Sequence, residues 1–86
     1  MKIYFHKNFD KQFKKLKKLE KVKAQARLSL FLEDPDNLIL NNHSLKGQYL
    51  NYRSINITGD LRAIYKNISP NEAIFVAIDS HSNLYR

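Results

Sequence analysis

The chain has 86 residues, a formal charge of +7, a pI near 9.8 and an apolar fraction of 43%. That length is expected to make one domain, residues 1–86, with a single core and little surface to spare for a deep pocket, so any site is expected on a shallow face. No cysteine is present, which excludes disulfides and thiolate chemistry and fits a reducing, cytoplasmic compartment.

Lys2 to Phe5 alternates apolar and polar residues, the pattern of an opening strand. From Asn8 the period lengthens. Phe9, Phe13, Leu16 and Leu19 recur at helical spacing, with Asn8 as the expected N-cap. A second helix is expected from about Glu20 to Asp34, with Val22, Ala26, Leu28, Phe31 and Leu32 as its apolar side. Pro35 ends it, because proline lacks the N–H and disfavours helix in the residue before it. The break between the two falls at Leu19 or Lys21, and together they make a helical hairpin. No apolar run approaches the roughly 20 residues of a membrane span, and the N-terminus lacks a signal-peptide core, so no membrane partner is expected.

Charge concentrates in this region. Lys7, Lys11, Lys14, Lys15, Lys17, Lys18, Lys21, Lys23 and Arg27 are nine of the fifteen basic residues, against only Asp10 and Glu20. A run of lysine on a helix is commonly a solvated face. This excess also supplies a field that attracts nucleic acid phosphate or an acidic protein.

Asp36 to Leu40 reads as a link. Strands are expected over Tyr49 to Ile57, Leu61 to Ile68 and Ala73 to Ile78, the last two joined by a turn at Ser69 to Asn71. The fold class is therefore α+β: an N-terminal strand and a two-helix hairpin packed on a small antiparallel sheet. Loop length in the hairpin about Thr58-Gly59-Asp60 decides which side chains share a face. A two-residue Gly59-Asp60 turn puts Arg53 and Arg62 beside Ile55, Ile57 and Ile64. A three-residue loop puts Ile55, Ile57, Leu61 and Ala63 on one side, with Ser54, Asn56, Arg62 and Lys66 on the other. The second separates apolar from polar better, leaving only Ile64 misplaced, and predicts Asn56 opposite Arg62.

Four residues carry chemistry worth following. His81 lies beyond the last strand, where an imidazole exchanges a proton near neutral pH or merely rests in solvent. Asp60 in its turn, Arg62 on its strand and His43 before Ser-Leu-Lys-Gly47 are unremarkable singly. Three histidines without cysteine make no four-ligand zinc set, so no metal is expected, and no glycine-rich phosphate loop or nucleophile elbow implies a cofactor. Imidazole, carboxylate and guanidinium on a basic surface suit metal-independent cleavage of RNA by its own 2′-hydroxyl.

The blocks His43-x-Leu-x-Gly47, Tyr52-Arg53-Ser54, Gly59-Asp60-Leu61-Arg62-x-Ile-Tyr65 and Ile78-x-Ser-His81-Ser-x-Leu-Tyr85 resemble the RelE/ParE toxin superfamily of bacterial type II toxin–antitoxin modules, closest to the YafQ-type messenger-RNA interferases. The resemblance spans nearly the whole chain. It implies a toxin that cuts translated mRNA on the ribosome and is inhibited by a cognate antitoxin. It also implies His81 as the general acid, Asp60 as general base or its orienter, His43 in proton transfer or phosphate holding, and Arg62 on phosphate charge. Tyr85 would stack on a base, and Lys46, Arg53 and Asn56 are the remaining residues expected at the RNA. Two departures stand out: Asn56 where YafQ-like chains tend to carry a histidine, and Asp79 where a glycine is usual. A ParE-like gyrase inhibitor, or a basic RNA- or ribosome-binding module without catalysis, is the alternative.

Overall fold

The computed structural model describes residues 1–85. Its order is β1 (Lys2–Phe5), α1 (Lys7–Lys14), α2 (Lys18–Glu33), β2 (His43–Ser44), β3 (Arg53–Asn56), β4 (Leu61–Ser69), β5 (Glu72–Ser80) and a one-turn helix α3 (His81–Leu84), with 3-10 turns at Leu38–Leu40 and Gly47–Tyr49. The five strands lie in the order β1-β5-β4-β3-β2. The expected three-strand antiparallel meander is present as β3 to β5, with β2 added antiparallel to β3, and the expected α+β class holds. The sheet is nevertheless mixed, because β1 adds to β5 in parallel, Ile3 opposite Ala73 and Phe5 opposite Phe75.

The hairpin adopts the three-residue loop. The Ile57 N–H donates to Leu61 O at 2.9 Å, and Asn56 stands opposite Arg62. Thr58 Oγ1 pins the loop by accepting the Asp60 and Leu61 N–H groups at 3.3 and 3.0 Å. Ile55, Ile57, Leu61 and Ala63 then all point into the main core, as directly opposed, alternating residues must. Ile64 is buried as well, but in a second, smaller cluster with Ala77 and Leu84 on the other face. A register shift between β4 and β5 pairs Ile64 with Ala77 and Tyr65 with Phe75, so Val76 is the extra residue of a bulge and turns towards this second cluster.

The main core centres on Phe31, Tyr65 and Phe75, whose rings lie 4.8 to 5.2 Å apart, with Phe9 edge-on to Phe75. Both helical stripes expected from sequence contribute to it in part, by Phe9, Phe13 and Leu16 and by Leu28 and Phe31. α1 is capped by His6, whose Nδ1 accepts the Asn8 N–H at 3.0 Å, not by Asn8. It stops at Lys14, and α2 begins at Lys18, where Glu20 Oε1 reaches back to accept the Lys17 N–H at 2.9 Å. The periodicity from Phe9 is therefore broken before Leu19, which is 82% exposed. α2 buries Ala24, Leu28 and Phe31, an i, i+4, i+7 set, while Val22, Ala26 and Leu32 face outward. Apolar residues occur on every side of this helix, so periodicity alone does not select its buried face.

Two strand boundaries also shift. The expected strand from Tyr49 is only Arg53–Asn56. Gly47 at φ +64° and Asn51 at φ +75° turn the chain back on itself, and Leu45 N–H meets Tyr52 O at 2.9 Å. The link before Gly47 supplies the short edge strand β2 instead. Among the described residues no helix is long and apolar enough to cross a membrane.

This packing makes a direct contrast between two residues of the same apparent stripe type. Phe31→Ala is expected to cost about 3–5 kcal/mol in chemical denaturation, and Leu19→Ala to stay within about 0.5 kcal/mol. Comparable losses at the two positions would contradict this helix orientation.

Candidate functional site

The sheet face opposite the main core is only partly covered. Pairing across the strands places His43, Ser54, Ile64 and Ala77 in one row, and Asn56, Arg62 and Asp79 in the next. Leu84 of α3, with Leu45, Tyr49, Tyr52 and Tyr85, packs over the first row, whose Ile64 and Ala77 form the buried floor. The second row reaches the hairpin tip and stays near the surface, Asn56, Arg62 and Asp79 all being partly exposed.

The C-terminal turn is locked onto that tip. The His81 N–H donates to Asp60 O at 2.8 Å, so a residue twenty-one positions away in sequence lies against the hairpin loop. Arg62 curls towards the same loop, its Nη1 donating to Thr58 O at 2.9 Å and Leu61 O at 3.2 Å. His81, Asp60 and Arg62 are thereby brought together, and the His81 and Asp60 side chains are exposed.

His43 rises from β2 at the far side of this face. It is offset from Arg62 by two strand spacings and two residues along the strand, about 12 Å between backbones. Its Nδ1 lies 2.8 Å from Asn41 O. A carbonyl only accepts, so the hydrogen bond assigns the proton of the neutral ring to Nδ1 and leaves the Nε2 lone pair for an incoming proton.

The remaining expected residues divide. Asn56 lies opposite Arg62, as the hairpin register requires, and its Oδ1 is buried without a partner. Lys46 is exposed beside Gly47. Tyr85 is not an open platform: its ring packs 4.8 Å from that of His81 and 6.0 Å from that of Tyr49, and its hydroxyl is buried. Arg53 is on the opposite face. Its Nε donates to Asn42 Oδ1 at 2.8 Å, and it lines a separate hollow with Tyr65 and Phe31. A three-residue loop gives Arg53 the parity of Ile55 and Ile57, which removes it from the Arg62 face.

Sequence reasoning missed a cleft of about 490 Å³ between α2 and the hairpin tip, lined by Lys23, Arg27, Ile39, Asn56, Ile57, Thr58 and Gly59. Arg27 closes its floor by donating Nε to Ile57 O at 3.4 Å. The i, i+4 spacing of Lys23 and Arg27 was visible, but their meeting with the hairpin is tertiary.

The chain is thus a small basic α+β domain with a short mixed sheet and a histidine turn tied to its hairpin tip. The whole chain, residues 1–86, matches the family model described as bacterial toxin of type II toxin-antitoxin system, YafQ, and the chain belongs to that family. Its structure is similar to YafQ from Escherichia coli strain BL21(DE3), with 22% identity, a TM-score of 0.82 and coverage of 98% of this chain and 97% of that one. The E. coli DinJ–YafQ toxin–antitoxin complex matches at 22% identity and TM-score 0.78, over 98% and 96% of the two chains. A mutant toxin from Helicobacter pylori matches at 26% identity and TM-score 0.71, over 99% of each chain. No curated protein matches the sequence.

Ser54, fully buried on the site face, has an Oγ with no hydrogen-bond partner. An unsatisfied buried hydroxyl is a cost rather than an asset. Ser54→Ala is expected to leave stability unchanged or raise it by about 1 kcal/mol, read by urea denaturation. A loss of that size would mean the hydroxyl has a partner.

Proposed function

We propose that this toxin is a ribosome-dependent endoribonuclease, an mRNA interferase that cuts translated messages and is held inactive by a cognate antitoxin. The observation that supports the reading is the 2.8 Å bond from His81 N–H to Asp60 O, which ties the turn that carries the exposed His81 to the loop whose Thr58 carbonyl accepts from Arg62.

In the proposed reaction a base removes the proton of the ribose 2′-hydroxyl, and the 2′-oxygen attacks the adjacent phosphorus. The bond to the 5′-oxygen breaks, and His81 donates a proton to that leaving oxygen. The products are a 2′,3′-cyclic phosphate and a free 5′-hydroxyl, and the step needs no metal. His43 Nε2 is the proposed base, supported by the tautomer its bond to Asn41 O assigns. Asp60 orients RNA or imidazole at the hairpin tip, and Arg62 stabilises the charge on the phosphorane. Lys46, Asn56 and the Lys23–Arg27 cleft track the RNA backbone on either side. Tyr85 supports the His81 ring rather than stacking on a base.

The antitoxin is expected to be an acidic, partly apolar segment. The relatives described as complexes, DinJ–YafQ and RelB–RelE, pair toxin with antitoxin. This chain offers Leu19 and Val22, 82% and 57% exposed, among Lys15, Lys17, Lys18, Lys21 and Lys23. A charge of +7 in the cytoplasm also favours ribosomal RNA phosphate.

The catalytic reading is tested by expressing the toxin and His81→Ala in growing bacteria and mapping mRNA ends. The expected result is growth arrest with codon-phased cuts, both lost in His81→Ala by a factor of at least about 100. Intact transcripts with gyrase-linked DNA damage would instead place the chain with ParE-type toxins, and intact transcripts with RNA binding would leave a non-catalytic module. For the partner, toxin–antitoxin affinity is expected to fall steeply between low and high salt. An affinity indifferent to salt would contradict the electrostatic docking.

A further inference from the structure

β1 pairs with β5 only as far as Phe75, with His6 N–H reaching Phe75 O at 2.9 Å. Beyond that point β5 runs on to Ser80 with an edge that no strand covers. Two side chains of α1, one turn apart, take over the pairing. Asn8 Nδ2 donates to Val76 O at 2.9 Å, and Gln12 Oε1 accepts the Ile78 N–H at 2.9 Å. Asn8 Nδ2 also reaches Gln12 Oε1 at 3.3 Å.

The series ends at Asp79. Gln12 Nε2 approaches Asp79 Oδ2 at 3.5 Å, the longest contact of the set. Through its other oxygen, Asp79 accepts the Ser80 N–H at 2.7 Å and Asn83 Nδ2 at 3.1 Å. Ser80 Oγ accepts the Asn83 N–H at 3.2 Å. One carboxylate thus spans from the first helix to the turn that carries His81. Although Asp79 lies directly opposite Arg62 in the sheet, its acceptor sites are given to this turn, and Arg62 turns to the Thr58 and Leu61 carbonyls.

We infer that Gln12 and Asp79 form a clamp between α1 and the C-terminal turn and are the positioning residues for the His81 imidazole. The role has a physical need behind it. α3 is a single turn, too short to hold itself, and its own sequence supplies only Leu84 as a buried anchor. Proton donation to a leaving oxygen requires the imidazole within hydrogen-bond reach, and displacement of about 1 Å costs on the order of a hundredfold in rate. The amide of Gln12 suits the position because it accepts from Ile78 and donates to Asp79 at once. A carboxylate at position 12 keeps the first bond and sets two like charges against each other at the second.

This inference rests on the proposed role of His81, and its test separates the two. Gln12→Glu is compared with the double variant Gln12→Glu/Asp79→Asn near pH 7.5. In the double variant, donor and acceptor are exchanged: the asparagine amide introduced at position 79 would donate to the new carboxylate while its oxygen still accepts from the turn. Amide hydrogen exchange of Ser80 to Asn83 reads the clamp itself, and cleavage of mRNA on programmed ribosomes reads its consequence. Gln12→Glu is expected to speed exchange at the turn and lower the maximal cleavage rate by about tenfold to a hundredfold with KM little changed. The double variant is expected to recover both. Unchanged exchange in Gln12→Glu, or a double variant no better than the single one, overturns the clamp. Faster exchange with an unaltered cleavage rate overturns its positioning role. If the wild-type toxin cuts nothing, the nuclease reading fails, while the exchange data still decide the clamp.

Discussion

The molecule depends on how the long strand β5 satisfies its edge. Nine residues of β5 must pair on both sides, and β1 is only four residues long. Backbone groups left open at a sheet edge either bind another chain or forfeit hydrogen bonds. Here Asn8 and Gln12 fill the gap with side-chain amides, each able to donate and accept. That solution fixes α1 alongside the strand, with Phe9 and Phe13 turned into the core and Lys7, Lys11 and Lys14 outward. The basic surface of the first helix is therefore set by a hydrogen-bonding requirement of the sheet.

The two faces of the sheet are built to different standards. One carries Phe31, Phe75, Tyr65, Ile55 and Ile57, all of them buried, and supplies most of the apolar burial. The other is floored by Ile64 and Ala77 and holds Ser54 and Asn56, whose oxygens lack partners. A thin roof of tyrosines and one helical turn leaves the rim open at the hairpin tip. The weaker face carries Arg62 and the His81 turn at the hairpin tip, with His43 at its far side. Confining the close packing to one face lets a chain of 86 residues keep an open polar face on the other.

Much of this is legible in the chain because strands have a period of two. The hairpin register followed from sorting Ile55, Ile57, Leu61 and Ala63 from Asn56 and Arg62. The same parity excludes Arg53 from the site, a consequence the residue's neighbours already contain. Helix orientation was less accessible. With Leu19, Val22, Ala24, Ala26, Leu28, Leu30, Phe31 and Leu32 on α2, the buried face is chosen by contact with Phe75 and Tyr65 and not by periodicity. Asn8 reads as an N-cap because its amide suits one, yet His6 takes that place, and the Asn8 amide goes to β5. Side-chain bonds to a distant strand edge leave no periodic trace, and so the role of Gln12 had no signal at all. Tyr85 shows the same limit: an aromatic near a C-terminus could stack on RNA or pack on a neighbour, and only the roof over Ile64 decides.

The site residues share one mode of attachment. His81 is tied through Asp60 O, Arg62 through Thr58 O and Leu61 O, and His43 through Asn41 O. Each anchor is a main-chain carbonyl, two of the four from the Thr58-Gly59-Asp60 loop and a third from Leu61, which follows it. A carboxylate would orient a guanidinium more strongly, but its charge would cancel much of the potential that a phosphate sees. A carbonyl fixes direction and leaves the positive charge intact. The same holds for His43, where a carbonyl at Nδ1 sets the tautomer without raising a competing anion beside Nε2. An Arg62–Asp79 ion pair is the obvious alternative, since the two stand opposite each other in the sheet. Asp79 is instead committed to the C-terminal turn, and Arg62 donates to the Thr58 and Leu61 carbonyls. The geometry of the Thr58-Gly59-Asp60 turn therefore directs the Arg62 guanidinium and holds the backbone of the His81 turn, through the carbonyls of Thr58, Asp60 and Leu61.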